Sequence, residues 1–127
     1  HKPVVEIFIQ FYYYRNMTIK EAVAALGALA QETRLQIFRL LVQAGAEGLS
    51  VGAIAERLGT EANGRLSFHL KELAIAGLVR SSQTGRFVYY SANYPAMNDL
   101  LAYLTEHCCG GTACGIEVVP CDPEKTS

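Results

Sequence analysis

The sequence predicts a mainly α-helical domain carrying one β-hairpin (an α+β chain), and three observations predict it. Apolar residues recur at helical spacing from Thr18 to Ala76, interrupted by glycines where helices should stop. The spacing changes between Leu78 and Ser91, where two β-prone runs flank Gln83-Thr84-Gly85. Helical spacing returns after Pro95.

The elements follow in order. Ala22, Val23, Leu26 and Leu29 mark a first helix from Thr18, and Leu35, Phe38, Leu41 and Val42 mark a second after a break near Gln31. That helix ends near Gln43, before Gly45 and Gly48. Ser50 is placed to cap a short helix through Leu58, with Leu49 and Ile54 as its hydrophobic staple, and Gly59 ends it. Thr60 or Asn63 starts a longer helix through Ala76, closed by Gly77. After the hairpin, Met97, Leu100, Leu101 and Leu104 form the stripe of a last helix. It is expected to run into His107-Cys108-Cys109 and to end at Gly110-Gly111. Four helices, a hairpin and a closing helix describe a winged helix-turn-helix, with the helix after Gly59 entering a DNA major groove and the hairpin as the wing.

At 127 residues the chain is one domain long, and its 50% apolar and 18% charged residues exclude a disordered polyelectrolyte. No apolar run approaches the ~20 residues of a membrane helix, and no secretory leader pattern is seen. A cytoplasmic protein with no membrane partner is expected. Residues 1–16, rich in β-branched and aromatic side chains, read as an N-terminal extension: either added upstream sequence or an arm against a partner subunit. Residues 17–107 are expected to form the winged helix-turn-helix domain, and 108–127 a Cys-rich tail.

Net charge is only −1, but the charges are unevenly placed. Arg57, Arg65, Lys71, Arg80 and Arg86 lie in a segment holding only Glu61 and Glu72 as acids, whereas no Lys or Arg occurs from Phe87 to Glu124. The first segment suits phosphate and the tail does not. The four cysteines, Cys108, Cys109, Cys114 and Cys121, are all in that acidic tail, which points to metal or redox chemistry rather than a disulfide framework.

Several motifs in this order resemble one family. Leu29-Ala30-Gln31-Glu32-Thr33-Arg34-Leu35-Gln36-Ile37, then Leu66-Ser67-Phe68-His69-Leu70-Lys71-Glu72-Leu73, Ala76-Gly77-Leu78-Val79 and Gly85-Arg86-Phe87-Val88-Tyr89-Tyr90 are similar to the ArsR/SmtB repressors, over Thr18 to Cys114. The resemblance implies a homodimer that binds double-stranded operator DNA and is released by a metal or metalloid. The candidate DNA contacts are Asn63, Arg65, Ser67, His69, Lys71 and Arg86. Arg65 can pair bidentately with guanine, Ser67 and His69 reach base edges or phosphate, and Arg86 at the hairpin tip suits phosphate or the minor groove. Leu66, Leu70 and Leu73 read as core. One departure stands out: Thr60 to Arg65 looks about one residue longer than the family spacing, and Gly64 costs a helix about 1 kcal/mol relative to Ala.

The family's helix-3 thiol site is absent, since Ser50-Val51-Gly52 stands there, and no His between Tyr94 and Glu106 supplies a site on the last helix. What remains, Cys108, Cys109 and Cys114, is similar to the arsenic-responsive branch, implying an As(III) inducer, with Sb(III) as its near equivalent. As(III) favours three thiolates in a pyramid, whereas structural zinc wants four tetrahedral donors. On a continuing helix adjacent cysteines would point ~100° apart, so the helix must end before both can face one centre. Methylarsenite would need two of these thiols, and Cd(II) or Pb(II) would recruit Cys121 as well. Two other classes are weighed. A thiol redox enzyme needs a cation or helix N-terminus beside its cysteine, and neither is present. A zinc-stabilised protein-interaction module would unfold with chelators.

Overall fold

A computed structural model describes residues 17–111 and 121–123. Five helices and a three-stranded antiparallel sheet form a winged helix-turn-helix: α1 (Ile19–Leu29), α2 (Glu32–Ala44), β1 (Leu49–Ser50), α3 (Val51–Leu58), α4 (Gly64–Ile75), β2 (Val79–Thr84), β3 (Phe87–Ala92) and α5 (Tyr94–Thr105). The strands are ordered β1-β3-β2.

Local chemistry sets most boundaries. Thr18 and Glu21 form a reciprocal capping box on α1. Gln31 caps α2 by accepting from the Arg34 N–H, and Ser50 caps α3 by accepting from Ala53. Gly59, with φ +69, ends α3 in the left-handed conformation expected of a glycine stop. Tyr94, at the start of α5, donates its hydroxyl to the Val42 and Leu41 carbonyls at 2.9 and 3.3 Å, satisfying acceptors that the end of α2 leaves open. Asn93 works in both directions, accepting from Ala96 N–H and donating to the Gly77 carbonyl beyond α4.

The core joins all the helices to the sheet. Ile37 and Leu41 of α2, Ile54 of α3, and Leu66, Leu70 and Leu73 of α4 are buried together with Leu78 and Leu100. The face that α1 turns inward is built of alanine: Ala22, Ala25 and Ala28 are buried, while Val23 is 61% exposed and Ile19 66%. Alanine lets α1 approach its neighbours closely and leaves its larger apolar residues outside.

Three features differ from the sequence reading. Leu49 and Ser50 pair with Tyr90 and Tyr89, so the α3 cap also serves as a third strand. Gly48 makes this pairing feasible, because a Cβ there would lie 2.1 Å from the Tyr90 carbonyl oxygen and its φ is +72. The hairpin turn is tighter and later than Gln83-Thr84-Gly85. Thr84 pairs with Phe87, leaving Gly85-Arg86 as a two-residue turn. Finally, α5 stops at Thr105, before His107 and the cysteines rather than running into them. Thr105 bends its hydroxyl back onto the Leu101 carbonyl at 2.8 Å, and Glu106 turns to extended backbone at φ −57, ψ 132.

Candidate nucleic-acid interface

The N-terminus of α4 is held by Asn63, whose Oδ1 accepts from the Arg65 and Leu66 N–H groups at 3.1 and 3.2 Å. Of the candidate contacts, Asn63 therefore has its oxygen engaged in the cap and only its amide NH2 free of that role. Leu66, Leu70 and Leu73 anchor the inner face of the helix, as the sequence indicated. At about 100° per residue, the side opposite those leucines is occupied by Gly64, Phe68, Lys71 and Ile75. Ser67 and His69 flank that side on opposite edges, because residues two apart point about 160° apart. Arg65, Ser67 and Lys71 are exposed and His69 is half-buried. The candidates thus share one helix but line both shoulders of its outer face. Arg86, exposed in the hairpin turn, is set apart on the wing.

Two residues join this surface that the sequence reading passed over. Phe68 is 55% exposed in the middle of the outward face and meets the His69 ring edge-on, with centroids 5.9 Å apart. The spacing of the core leucines carried that signal, since it leaves position 68 opposite them. Arg34 of α2 is the other. Its Nε donates to the Ala28 carbonyl at 2.7 Å, and its terminal NH1 lies 3.3 Å from His69 Nδ1. Arginine can only donate, so this contact is a hydrogen bond when Nδ1 carries no proton. Partial burial, with Arg34 and then Arg65 nearby, pushes the His69 pKa below its ordinary value of 6.5.

The cysteines lie at the far end of α5. After Glu106 the chain enters a tight turn, Cys108–Gly111, with left-handed backbone at His107 (φ +57), Cys109 (φ +56), Gly110 (φ +64) and Gly111 (φ +90). Breaking the helix here brings Cys108 Sγ and Cys109 Sγ to 3.7 Å. Two sulfurs that both bond one atom at about 2.3 Å, near a tetrahedral angle, lie at nearly that separation. Cys114 falls outside the described residues, and among the described residues no three His, Cys, Asp or Glu side chains cluster as a metal site. Cys121 returns to α5. Its N–H donates to Asn98 Oδ1 at 3.1 Å and its carbonyl accepts from Asn98 Nδ2 at 3.2 Å, while the residue packs half-buried against the core.

Among the described residues no helix is long and apolar enough to cross a membrane. A helix-turn-helix domain family matches residues 29–82. No curated protein matches the chain. Solved structures do. HlyU from Vibrio cholerae N16961 is 36% identical over 67% of this chain and 91% of its own, with a TM-score of 0.54. Its reduced form is 36% identical over 67% and 88%, also with a TM-score of 0.54. An ArsR-like transcriptional regulator from Rhodococcus sp. RHA1 is 29% identical over 72% and 82%, with a TM-score of 0.60. The homodimeric winged helix-turn-helix DNA-binding domain Mb0332 from Mycobacterium bovis, a possible ArsR-family regulator, is 26% identical over 74% and 86%, with a TM-score of 0.55. With a capped helix presenting basic, polar and aromatic groups beside a wing, and with these relatives, the chain belongs to the ArsR/SmtB family of winged-helix transcriptional regulators.

Proposed function

We propose that the protein is a repressor that binds operator DNA as a homodimer and leaves it when As(III) joins Cys108, Cys109 and Cys114. The observation that carries the ligand is the thiol pair, two soft donors 3.7 Å apart on the turn that follows α5. Sb(III) shares the preference for three thiolates. The acidic tail, without Lys or Arg from Phe87 to Glu124, disfavours an anionic ligand and suits neutral arsenous acid.

The dimer reading is supported by apolar residues left outside the fold. Ile19, Val23 and Leu26 on α1, with Leu101 and Leu104 on α5, are exposed, and such patches mark interfaces. The Mycobacterium bovis relative is itself homodimeric. If α5 lies in the dimer seam, closing three thiolates beyond its end alters the spacing of the two α4 helices. Half-sites about 34 Å apart tolerate little error.

The test is fluorescence anisotropy of a labelled duplex, selected by the wild-type protein from a randomised pool, with and without arsenite. Wild type is expected to bind with strong salt dependence and to lose about 100-fold in affinity with arsenite, while Cys108→Ser stays bound. Tight binding indifferent to arsenite overturns As(III) and leaves the regulator. Methylarsenite, Cd(II) and Pb(II) are then titrated, with Cys114→Ser separating two-thiol from three-thiol ligands. A second reading, release on thiol oxidation, is favoured by the 36% identity to a protein whose structure is described in a reduced form. Release by peroxide, reversed by dithiothreitol and indifferent to arsenite, would establish it.

A further inference from the structure

We propose that Arg34 is a positioning residue that fixes His69 with Nδ1 accepting and Nε2–H donating, so that α4 offers this N–H to a hydrogen-bond acceptor on DNA. The inference rests on the DNA-binding reading and adds to it a residue from outside the reading helix and a defined tautomer.

The geometry is a fork. Arg34 sits in the first turn of α2, where Gln31 caps its own N–H at 2.8 Å. Its Nε is tied to the last turn of α1 through Ala28, which orients the guanidinium plane. One of the two terminal nitrogens meets His69 Nδ1 across 35 residues of sequence. A guanidinium does both because its donors are rigidly splayed in one plane, and a lysine ammonium lacks that fork. His69 cannot keep a proton on Nδ1 without aiming it at a group that only donates. Its Nε2 has no protein partner among the described residues and is not among their buried unpartnered atoms, so it faces outward. The edge-on contact with Phe68 adds a second restraint on the ring plane. A histidine on a recognition helix otherwise exchanges between two tautomers and a cation near neutral pH. Here two cations face it, Arg34 from α2 and Arg65 on its own helix, and both oppose the charged form. The acceptor on DNA is either a purine N7 in the major groove or a phosphate oxygen.

The experiment has two parts, both on the full chain. Long-range 1H–15N correlation of the histidine ring in the free wild-type protein is expected to show His69 protonated on Nε2 only. A proton on Nδ1 overturns the proposal with no variant needed. Binding to the selected duplex is then measured from pH 6 to 8 for wild type, Arg34→Gln, His69→Ala and the double variant, with folding checked by circular dichroism. Arg34→Gln is expected to lose about 10-fold at pH 7.5 and to regain affinity as pH falls, because His69 then protonates within the range. Wild type is expected to gain less affinity than Arg34→Gln over the same range, because Arg34 opposes the charged ring. A merely structural role would lower affinity equally at every pH and overturn the proposal. The double variant should bind like His69→Ala alone; losses that multiply independently also overturn it. Duplexes with 7-deazapurines or neutral methylphosphonates identify the acceptor as base or phosphate, by abolishing the difference between wild type and His69→Ala. If neither does so, His69 donates to no such acceptor and the proposal fails. Absence of salt-sensitive binding by wild type would instead sink the DNA reading, with the tautomer still read from the spectrum.

Discussion

At the start of α4 two early backbone donors are provided for by Asn63, and three buried leucines fix the rotation of the helix. At the end of α5 the chain does the opposite. It abandons the helix at Thr105 and places two non-glycine residues, His107 and Cys109, in left-handed backbone, a conformation that costs about 1–2 kcal/mol per residue. The comparison teaches where each kind of task is housed. The outward face of α4 is preorganised by a cap and a core, whereas the two thiols are brought to 3.7 Å by a turn held away from its preferred geometry.

Substitutions at the two ends sharpen that contrast. The largest expected effect is at the thiol turn. Cys108→Ser should abolish the roughly 100-fold arsenite effect while changing DNA affinity without ligand less than twofold, as read by anisotropy. At the reading end, Phe68→Ala should lower affinity about 10-fold by removing an apolar contact of the kind that meets a thymine methyl, with the salt slope unchanged. Arg86→Ala on the wing, by contrast, should reduce the slope of log K against log salt by about one, as loss of a phosphate contact does. Replacing thymine by deoxyuridine along the duplex checks the assignment, since Phe68→Ala should be blind to the one substitution that weakens wild type.

Smaller effects concern stability. Asp99 of α5 has a buried carboxylate oxygen with no partner among the described residues, and its burial, with Glu21 nearby, pushes its pKa above the ordinary 3.8. Below pH 3.8 it is protonated in both the folded and unfolded chain and carries no penalty. The penalty grows as pH rises through the raised folded value. Asp99→Asn should therefore stabilise the protein by about 1 kcal/mol at pH 7, with the gain gone near pH 3, as measured by urea denaturation. Smallest of all, His107→Gly should relieve left-handed strain and raise stability by about 0.5 kcal/mol, because glycine's extra unfolded-state freedom offsets part of the relief.

Much of the fold was legible because its signals are local. Ser50, Asn63, Gly59 and Gly77 act within four residues of themselves, and Leu66, Leu70 and Leu73 announce their face by spacing alone. The helical pattern on α1 was also plain, but not which side is inward. Val23 and Leu26 look like core by hydrophobicity, yet three alanines pack better where helices crowd, and only the neighbours decide that. The two-residue strand β1 is too short for any periodicity and exists because Tyr89 and Tyr90 arrive opposite it. At the candidate interface, basic and polar residues on α4 could be marked in sequence, whereas Arg34 reaches His69 only through the packing of α2 on α4. The end of α5 was misplaced for a related reason: two glycines are the stronger written signal, but Thr105 bonding back onto Leu101 accompanies an earlier stop.

The Asn98–Cys121 pairing changes the arithmetic of chelation. Cys121 is fastened about five residues into α5, and the thiol turn follows that helix's other end, so the described residues on either side of Cys114 in the chain both lie against one helix. Cys114 is five residues from Cys109, so it can stray at most about 18 Å from it. At the proposed three-thiolate site the third sulfur would meet the other two at an effective concentration in the millimolar range, and binding strength at the thiol turn would then depend on Asn98, which holds Cys121 through its backbone.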